Sequence, residues 1–325
     1  MMTKSPYHAG GAHATPPVSV IIPTFNRAHV LSRAIDSVLG QSFEDFELLV
    51  VDDGSADGTA ELMERYGRWH PRVRYLVQSA NAGVSAARNR GMNEACGRLI
   101  AFLDSDDEWL PEKLAAQVSF FDEAPRDVGL LYGGVRTVGA STWVFRPKTR
   151  GWIHPNLLER NVIHSTSNVM IRREVFEKIG GFQEQIPAIE DWDYWIRVAK
   201  HFAIDYLEED QSYYYESPDE LNRKSLATRE NLDSRAWLYD IHGEDMRRAK
   251  VAHRFLGESG RRHMVAKEHH AAIPLLFQAL KLYPGSLGLV YLMSRAVGGW
   301  ARRKVSMRSK RGSEAMPATL GKNQE

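Results

Sequence analysis

Residues 98–109 read RLIAFLDSDDEW. An apolar run without polar alternation stops abruptly at four acids, Asp104, Asp106, Asp107 and Glu108. A short run that is apolar at every position suits a strand covered on both faces, as parallel strands are when helices lie above and below them. Carboxylates this close repel one another, so they must either face water or have positive charge beside them. Three earlier segments repeat the apolar form: VSVIIPT (18–24), ELLVVDD (47–53) and VRYLVQS (73–79).

Helical patterns stand between these runs. HVLSRAIDSVLGQ (29–41) sets Val30, Ala34, Ile35 and Val38 on one stripe. DGTAELMERYGRW (57–69) follows a Ser/Asp/Gly turn able to cap it. GVSAARNRGMNEACG (83–97) closes on Gly97 as a C-cap and puts Cys96 in a helix facing the sheet. PEKLAAQVSFFDEAP (111–125) opens on a first-turn proline. The alternation predicts βαβ units in a doubly wound, mostly parallel α/β sheet. After Pro125, strands are expected in 128–138, 141–147 and 203–217. Segment 161–182 reads as a strand, a short helix and a Gly-Gly turn, and 190–202 as a helix. From residue 229 the pattern is helical, with 246–260 in one helix and the last two helices resembling a repeat hairpin. The expected organisation is a loose tail at 1–17, an α/β domain at 18–228, a helical extension at 229–301 and a disordered basic tail at 302–325.

A chain of 325 residues that is 43% hydrophobic can bury a full core. Its formal net charge of +1 gives no global bias toward nucleic acid, and no nucleic-acid partner is expected. Cys96 is the one cysteine, which rules out an internal disulfide framework and fits a reducing compartment. The first residues contain no apolar signal core, and no apolar run is long enough to span a bilayer. The expected location is cytoplasmic, with room for a peripheral position at the inner face of the membrane.

In an open parallel sheet, ligands bind beyond the carboxyl ends of the strands. Those ends here carry Pro23-Thr24-Phe25-Asn26-Arg27, Asp52-Asp53-Gly54-Ser55, Asn81-Ala82-Gly83 and Asp104-Ser105-Asp106. No G-x-G-x-x-G and no P-loop is present, so a phosphate ligand needs another source of positive charge. Asp104 and Asp106, spaced i, i+2, can address one hard cation, Mn²⁺ or Mg²⁺, which would relieve their repulsion and bind phosphate. The same acids also suit a solvated loop or a helix start.

The motifs VSVIIPTFNR, VVDDGSADGT, NAGVSAARNRG, FLDSDDEWLPEKL, GGF and EDWDYWIRV occur in this order. Together they resemble the family 2 glycosyltransferases over about residues 17–215, and the resemblance implies the GT-A fold. It implies that Pro23, Thr24, Phe25, Asn26 and Gly83 meet the nucleotide of a nucleotide-sugar donor. Asp53 is implied to bond the base, typically uracil, and Arg88 to sit near the donor. Asp104 and Asp106 match the D-x-D motif, with Asp106 the direct metal ligand. Asp191 matches the general base of an inverting transfer. Independently, such a transfer needs one carboxylate to take the proton of the acceptor hydroxyl, and a metal can stabilise the leaving diphosphate without a protein acid. Glu190-Asp191 also suits a helix start with first-turn acids.

Glu190, Trp192 and His164 are candidates for the acceptor side, with Trp192 stacking on a sugar; Trp109 and Trp195 are weaker candidates, and all three tryptophans also suit a core. His269-His270 lacks an acid at metal spacing. Residues 286–311 combine an apolar stretch, Trp300 and a basic run that could lie on an anionic membrane or simply close the domain. The reading is a metal-dependent inverting glycosyltransferase acting on a glycan or lipid-linked acceptor, in bacterial surface polysaccharide assembly. A sugar nucleotidyltransferase and a catalytically silent sugar-nucleotide or glycan-binding module are the alternatives.

Overall fold

The computed structural model of the chain describes residues 15–139, 142–216 and 228–314, with side chains as far as residue 303. The chain divides into two compact units at residues 224 and 225. That division and the boundary expected at 228 adjoin or fall in 217–227, outside the described residues, as do residues 1–14 and 315–325 of the expected tails.

Among the described residues the first unit contains nine strands: β1 (Val18–Thr24), β2 (Phe46–Asp52), β3 (Val73–Val77), β4 (Leu99–Phe102), β5 (Glu108–Trp109), β6 (Val128–Val138), β7 (Val144–Phe145), β8 (Met170–Arg172) and β9 (Ala203–Tyr215). Its helices are α1 (Ala28–Leu39), α2 (Thr59–Trp69), α3 (Val84–Glu94), α4 (Lys113–Glu123), α5 (His154–Glu159), α6 (Arg173–Ile179) and α7 (Glu190–Ala199). The strands form one sheet in the order β3-β2-β1-β4-β8-β6-β9-β5, with β7 on β6. The long ladders β1–β2, β2–β3, β1–β4 and β6–β9 are parallel; β8, β5 and β7 add short antiparallel pairings. The sheet is α/β and mostly parallel, as the alternation predicts.

β1 and β2 are buried along their whole length, which is why neither shows polar alternation. β3 differs from its expected two-sided burial: it is the sheet edge and only half covered. In α1 the buried stripe is Leu31, Ala34, Ile35 and Val38, while Val30 turns toward the cleft beyond the strands. At the opposite end of the sheet Glu47 is fully buried and accepts from Ser19 Oγ (2.7 Å), Arg74 Nη1 (2.9 Å) and the Cys96 amide (2.6 Å). A buried carboxylate persists only when paired and hydrogen-bonded in this way.

Two expectations on this segment are corrected. α3 ends at Glu94, so Cys96 lies past the helix, half-exposed, with its thiol pKa raised by burial and by the charge of Glu47. Gly97 is not the cap. Its amide donates to Ser19 Oγ at 2.8 Å, and a Cβ there would sit 2.6 Å from the Ser19 nitrogen. A glycine is required because backbone meets backbone. The same network reaches the expected N-terminal tail, whose Pro17 carbonyl accepts from the Leu99 amide at 3.0 Å.

The second unit is helical: α8 (Arg229–Arg248), α9 (Ala252–Val265), α10 (His269–Leu282) and α11 (Leu287–Glu314). Leu256, Ala272, Leu276, Ala279, Leu289 and Ala296 form its core, with α10 and α11 packed as the expected hairpin. The single helix expected at 246–260 is broken by Lys250, whose φ of 58° lies in the left-handed region. Residues 302–314, expected to be disordered, continue α11: the run has no proline, and lysine and arginine propagate helices well. Among the described residues no helix is long and apolar enough to cross a membrane.

Gly97→Ala is expected to lower stability by about 1–3 kcal/mol through overpacking against backbone that cannot yield. Chemical denaturation of the purified variant reads this directly, and an unchanged midpoint would contradict the contact.

Candidate active site

The chain winds β1-β2-β3 in one direction and then returns to place β4 on the other side of β1. The crevice at such a reversal lies beyond the carboxyl ends of the two strands. A cleft of about 910 Å³ opens there. Pro23, Thr24, Phe25, Asn26, Asp53, Gly83, Arg88, Asp104 and Asp106 all line it, which brings together every residue expected on the donor or metal side. The buried Thr24 hydroxyl has no hydrogen-bond partner among the described residues.

The side chain of each of the four crowded acids has a hydrogen-bond partner of its own. Asp104 accepts from Arg88 Nη2 at 2.7 Å and from Thr166 Oγ1 at 3.2 Å. Asp106 pairs with Arg27, and its carbonyl accepts from Arg33. Asp107 is buried and accepts from Ser167 Oγ at 2.5 Å; burial, then the charges of Asp106 and Asp104, push its carboxyl well above the usual range. Glu108 accepts from Tyr215 Oη at 2.6 Å. Arg27, Arg33 and Arg88 all line the cleft, so three guanidinium groups supply the positive charge that the absent glycine-rich loop would have provided. Arg27 and Arg33 were not singled out as site residues in the sequence, although Arg27 directly follows the Thr-Phe-Asn loop.

Among the described residues no group of three or more His, Cys, Asp or Glu is arranged to hold a metal. Asp104 and Asp106 remain partly exposed in the cleft, with side-chain exposures of 30% and 22%. Two carboxylates with hard oxygen donors suit Mg²⁺ or Mn²⁺, which take one or two protein carboxylates and complete their shell with water and phosphate oxygens. The donor set therefore fits the expected cation.

Asp53 and Asn26 act first on the protein itself. Asp53 accepts from the amides of Ala82 (2.8 Å) and Gly83 (2.7 Å) and from Gln78, fixing the loop into α3. Asn26, at φ 52°, accepts from the Ala56 amide at 2.8 Å, and its own amide donates to Ser55 Oγ at 2.8 Å, tying the loop after β1 to that after β2. An asparagine tolerates this left-handed backbone better than most residues.

The base candidate is set by α7. Ile189, immediately before the helix, has φ 55°, a strained conformation for a β-branched residue. The Gly180-Gly181-Phe182 turn is strapped by Asn89, which bonds both backbone groups of Phe182, and by Arg197, which donates to Gly181 O at 2.8 Å. Glu190 then reaches Arg88 Nη1 at 2.6 Å, so one buried guanidinium joins the start of α7 to Asp104 in the cleft. Asp191 accepts from Asn161 Nδ2 at 3.1 Å and from the Trp192 amide at 2.7 Å. Burial, then the charge of Glu190, raise its carboxyl to about 7. Asn161 had no signal in the sequence.

The tryptophan expectations are corrected toward the core. Trp192 is 5% exposed and its Nε1–H donates to Leu157 O at 2.6 Å, so it has no free face for a sugar. Trp109 donates likewise to Ser167 O at 2.6 Å, and Trp195 is fully buried. His164 is exposed and touches three aromatic rings. His269 packs against Gly299, where a Cβ would lie 2.6 Å from its ring.

Arg88→Met leaves Asp104 and Glu190 facing each other without their shared cation. The expected loss is about 3 kcal/mol, the low end for breaking a buried pair because Asp104 keeps some solvent. Denaturant unfolding measures it.

The family model for glycosyl transferase family 2 matches residues 19–180, and one for a glycosyltransferase-like family 2 matches residues 135–280. An Escherichia coli protein named UDP-Glc:alpha-D-GlcNAc-diphosphoundecaprenol beta-1,3-glucosyltransferase WfgD is 31% identical over 183 residues, 56% of this chain and 70% of that protein. An uncharacterized glycosyltransferase of Rickettsia felis is 32% identical over 203 residues, 59% of this chain but 33% of that longer protein. The crystal structure of S. aureus TarS 1–349 in complex with UDP-GlcNAc superposes with a TM-score of 0.65 at 19% identity, covering 90% of this chain and 92% of that one, a likeness of fold. With the motifs, the strand-end cleft and these relatives in agreement, the chain belongs to glycosyltransferase family 2 and has the GT-A fold.

Proposed function

We propose that this glycosyltransferase moves a sugar from a nucleoside diphosphate donor, UDP-linked, to a hydroxyl of a glycan or lipid-linked acceptor, with inversion, in bacterial surface polysaccharide assembly. The observation that carries the reading is the placement of Asp191, whose carboxyl is raised to about 7, one residue from Glu190 and hence one guanidinium away from Asp104 in the cleft. The activity for which WfgD is named, with a UDP-glucose donor and a diphosphoundecaprenol-linked acceptor, supports the donor and acceptor classes. The UDP-GlcNAc complex of TarS supports the same donor class.

In this mechanism the loop held by Asp53 and the Thr24–Asn26 segment receive the nucleotide. Arg27 and Arg33 place fixed positive charge beside its diphosphate. Asp106 and Asp104 would hold Mn²⁺ or Mg²⁺, which when bound supplies charge stabilisation for the departing diphosphate. Asp191 takes the proton of the acceptor hydroxyl as that oxygen attacks C1; Asn161 and the Trp192 amide aim its carboxylate. A base near pKa 7 is unprotonated often enough at neutral pH and still basic enough to act.

Membrane proximity is part of the proposal. α11 exposes Leu287, Val290, Tyr291, Val297 and Trp300 and continues into a basic run, so residues 286–311 have the composition of a segment lying on an anionic surface.

The test is nucleoside diphosphate release from a panel of nucleotide sugars with Mn²⁺ or Mg²⁺ and crude glycolipid acceptor. EDTA and Asp106→Ala are expected to abolish it, and Asp191→Asn to lower kcat by about 10²–10⁴. Because only the unprotonated carboxylate accepts a proton, kcat/KM is expected to rise with pH through about 7 and then level. Binding of a donor without release by the folded protein would instead indicate a binding module; diphosphate made from a nucleoside triphosphate and a sugar phosphate would indicate a nucleotidyltransferase. In a separate flotation experiment with vesicles containing anionic lipid, the full chain is expected to float and a chain ending at residue 285 to stay at the bottom; equal flotation would remove the membrane role of this segment.

A further inference from the structure

Four aromatic side chains converge beside the cleft, none of them fully buried, with Phe145 resting on the core ring of Tyr132 (centroids 6.4 Å apart). His164 lies with its ring centroid 4.5 Å from Trp143 (interplanar angle 76°), 5.3 Å from Phe145 and 5.9 Å from Tyr214. His164 is exposed, and Trp143, Phe145 and Tyr214 are half-buried. This separates them from Trp109 and Trp192, which are sealed in the interior with their N–H groups bonded to carbonyls. Tyr214 is itself part of the cleft wall.

The backbone carrying His164 runs between the two halves of the site. Three residues before it, Asn161 donates to Asp191 and holds the Ile163 amide on its own Oδ1 at 3.0 Å. Two residues after it, Thr166 bonds Asp104. Trp143 and Phe145 come from the β6–β7 hairpin, where the Trp143 carbonyl accepts from Thr137 at 3.0 Å. Three separate chain segments thus bring rings to the stretch that connects the base to the donor-side acid.

We propose that Trp143, Phe145, His164 and Tyr214 form the acceptor subsite and that its ligand is a pyranose ring, the terminal sugar of a glycan acceptor. The inference rests on the glycosyltransferase reading, which requires the acceptor hydroxyl at Asp191. Aromatic faces carry partial negative charge, and the C–H face of a pyranose, polarised by its oxygens, is their complement. An open group of rings fixes a flat, partly apolar ring while leaving its hydroxyls free for directed contacts. An acyl chain has no such flat face.

Saturation-transfer difference NMR on the full chain tests this with UDP and three methyl glycosides, of glucose, N-acetylglucosamine and galactose. The pyranose protons of at least one glycoside are expected to receive saturation from the wild-type protein. Trp143→Ala and His164→Ala are each expected to weaken that glycoside's binding about fivefold or more, the effect of losing roughly 1 kcal/mol of ring contact. The uracil and ribose signals of UDP are expected to persist in both variants, which separates this site from the donor site. His164 is exposed, so His164→Ala carries the test if Trp143→Ala does not fold; Trp143→Phe, which keeps a ring, is expected to retain part of the effect. Glycoside signals undiminished in the variants, or absent in a wild-type protein that binds UDP, would overturn the proposal. Loss of the glycoside signal in the variants with no UDP signal in any protein would uphold the ring site and remove the donor reading.

Discussion

The guanidinium of Arg88 is the constraint on which the site depends. It is buried, donates to Asp104 on one side and Glu190 on the other, and lies over the Phe182 ring with 5.3 Å between the guanidinium carbon and the ring centroid. Removing such a charge from water is unfavourable unless both partners are held in place. Each partner is supported by its own element: Asp104 by the end of β4 and the Thr166 hydroxyl, Glu190 by the strained Ile189 start of α7. The two carboxylates also hold the guanidinium in its charged form, against the effect of burial. The pairing converts separate parts of the chain, α3, β4 and α7, into one rigid frame around the cleft.

The same electrostatic logic explains why an acidic strand end is tolerable. Asp104, Asp106, Asp107 and Glu108 follow one another closely, yet each turns to a different neighbour. Two of them face guanidinium groups that line the cleft, one is forced toward its neutral form by burial, and one is bonded by a phenol. Arginine suits this role because its planar fork pairs with a carboxylate without losing its charge. Arg27, Arg33 and Arg88 among the cleft-lining side chains offset the negative charge of the acids beside them.

Much of the fold was legible in the linear pattern. Continuous apolar runs of β1, β2 and β4 and the helices between them specify a covered parallel sheet, because burial on both faces admits a polar residue only where it is hydrogen-bonded, as Ser19 and Glu47 are. Each residue that the ordered motifs named for the donor side lines one cleft. Where single residues decided the outcome, the pattern misled. Gly97 resembles a cap but is a close backbone contact, and Trp192, which suited either a sugar platform or the core, is sealed against Leu157.

The sequence by itself determined the alternation of strands and helices, the acids and loops at the strand ends, and the family, since these are local properties read within a few residues of one another. Only the tertiary structure decided that Arg27 meets Asp106, that Arg88 spans 102 positions to reach Glu190, that Asn161 supports Asp191, and that Trp143, Phe145, His164 and Tyr214 gather at one rim. The physical reason is that burial, charge pairing and ring contact depend on distance in space. The return of the chain across β1 to form β4, followed by the crossing of β8 and β9, brings those residues within a few ångströms, although nothing in their spacing along the chain records it.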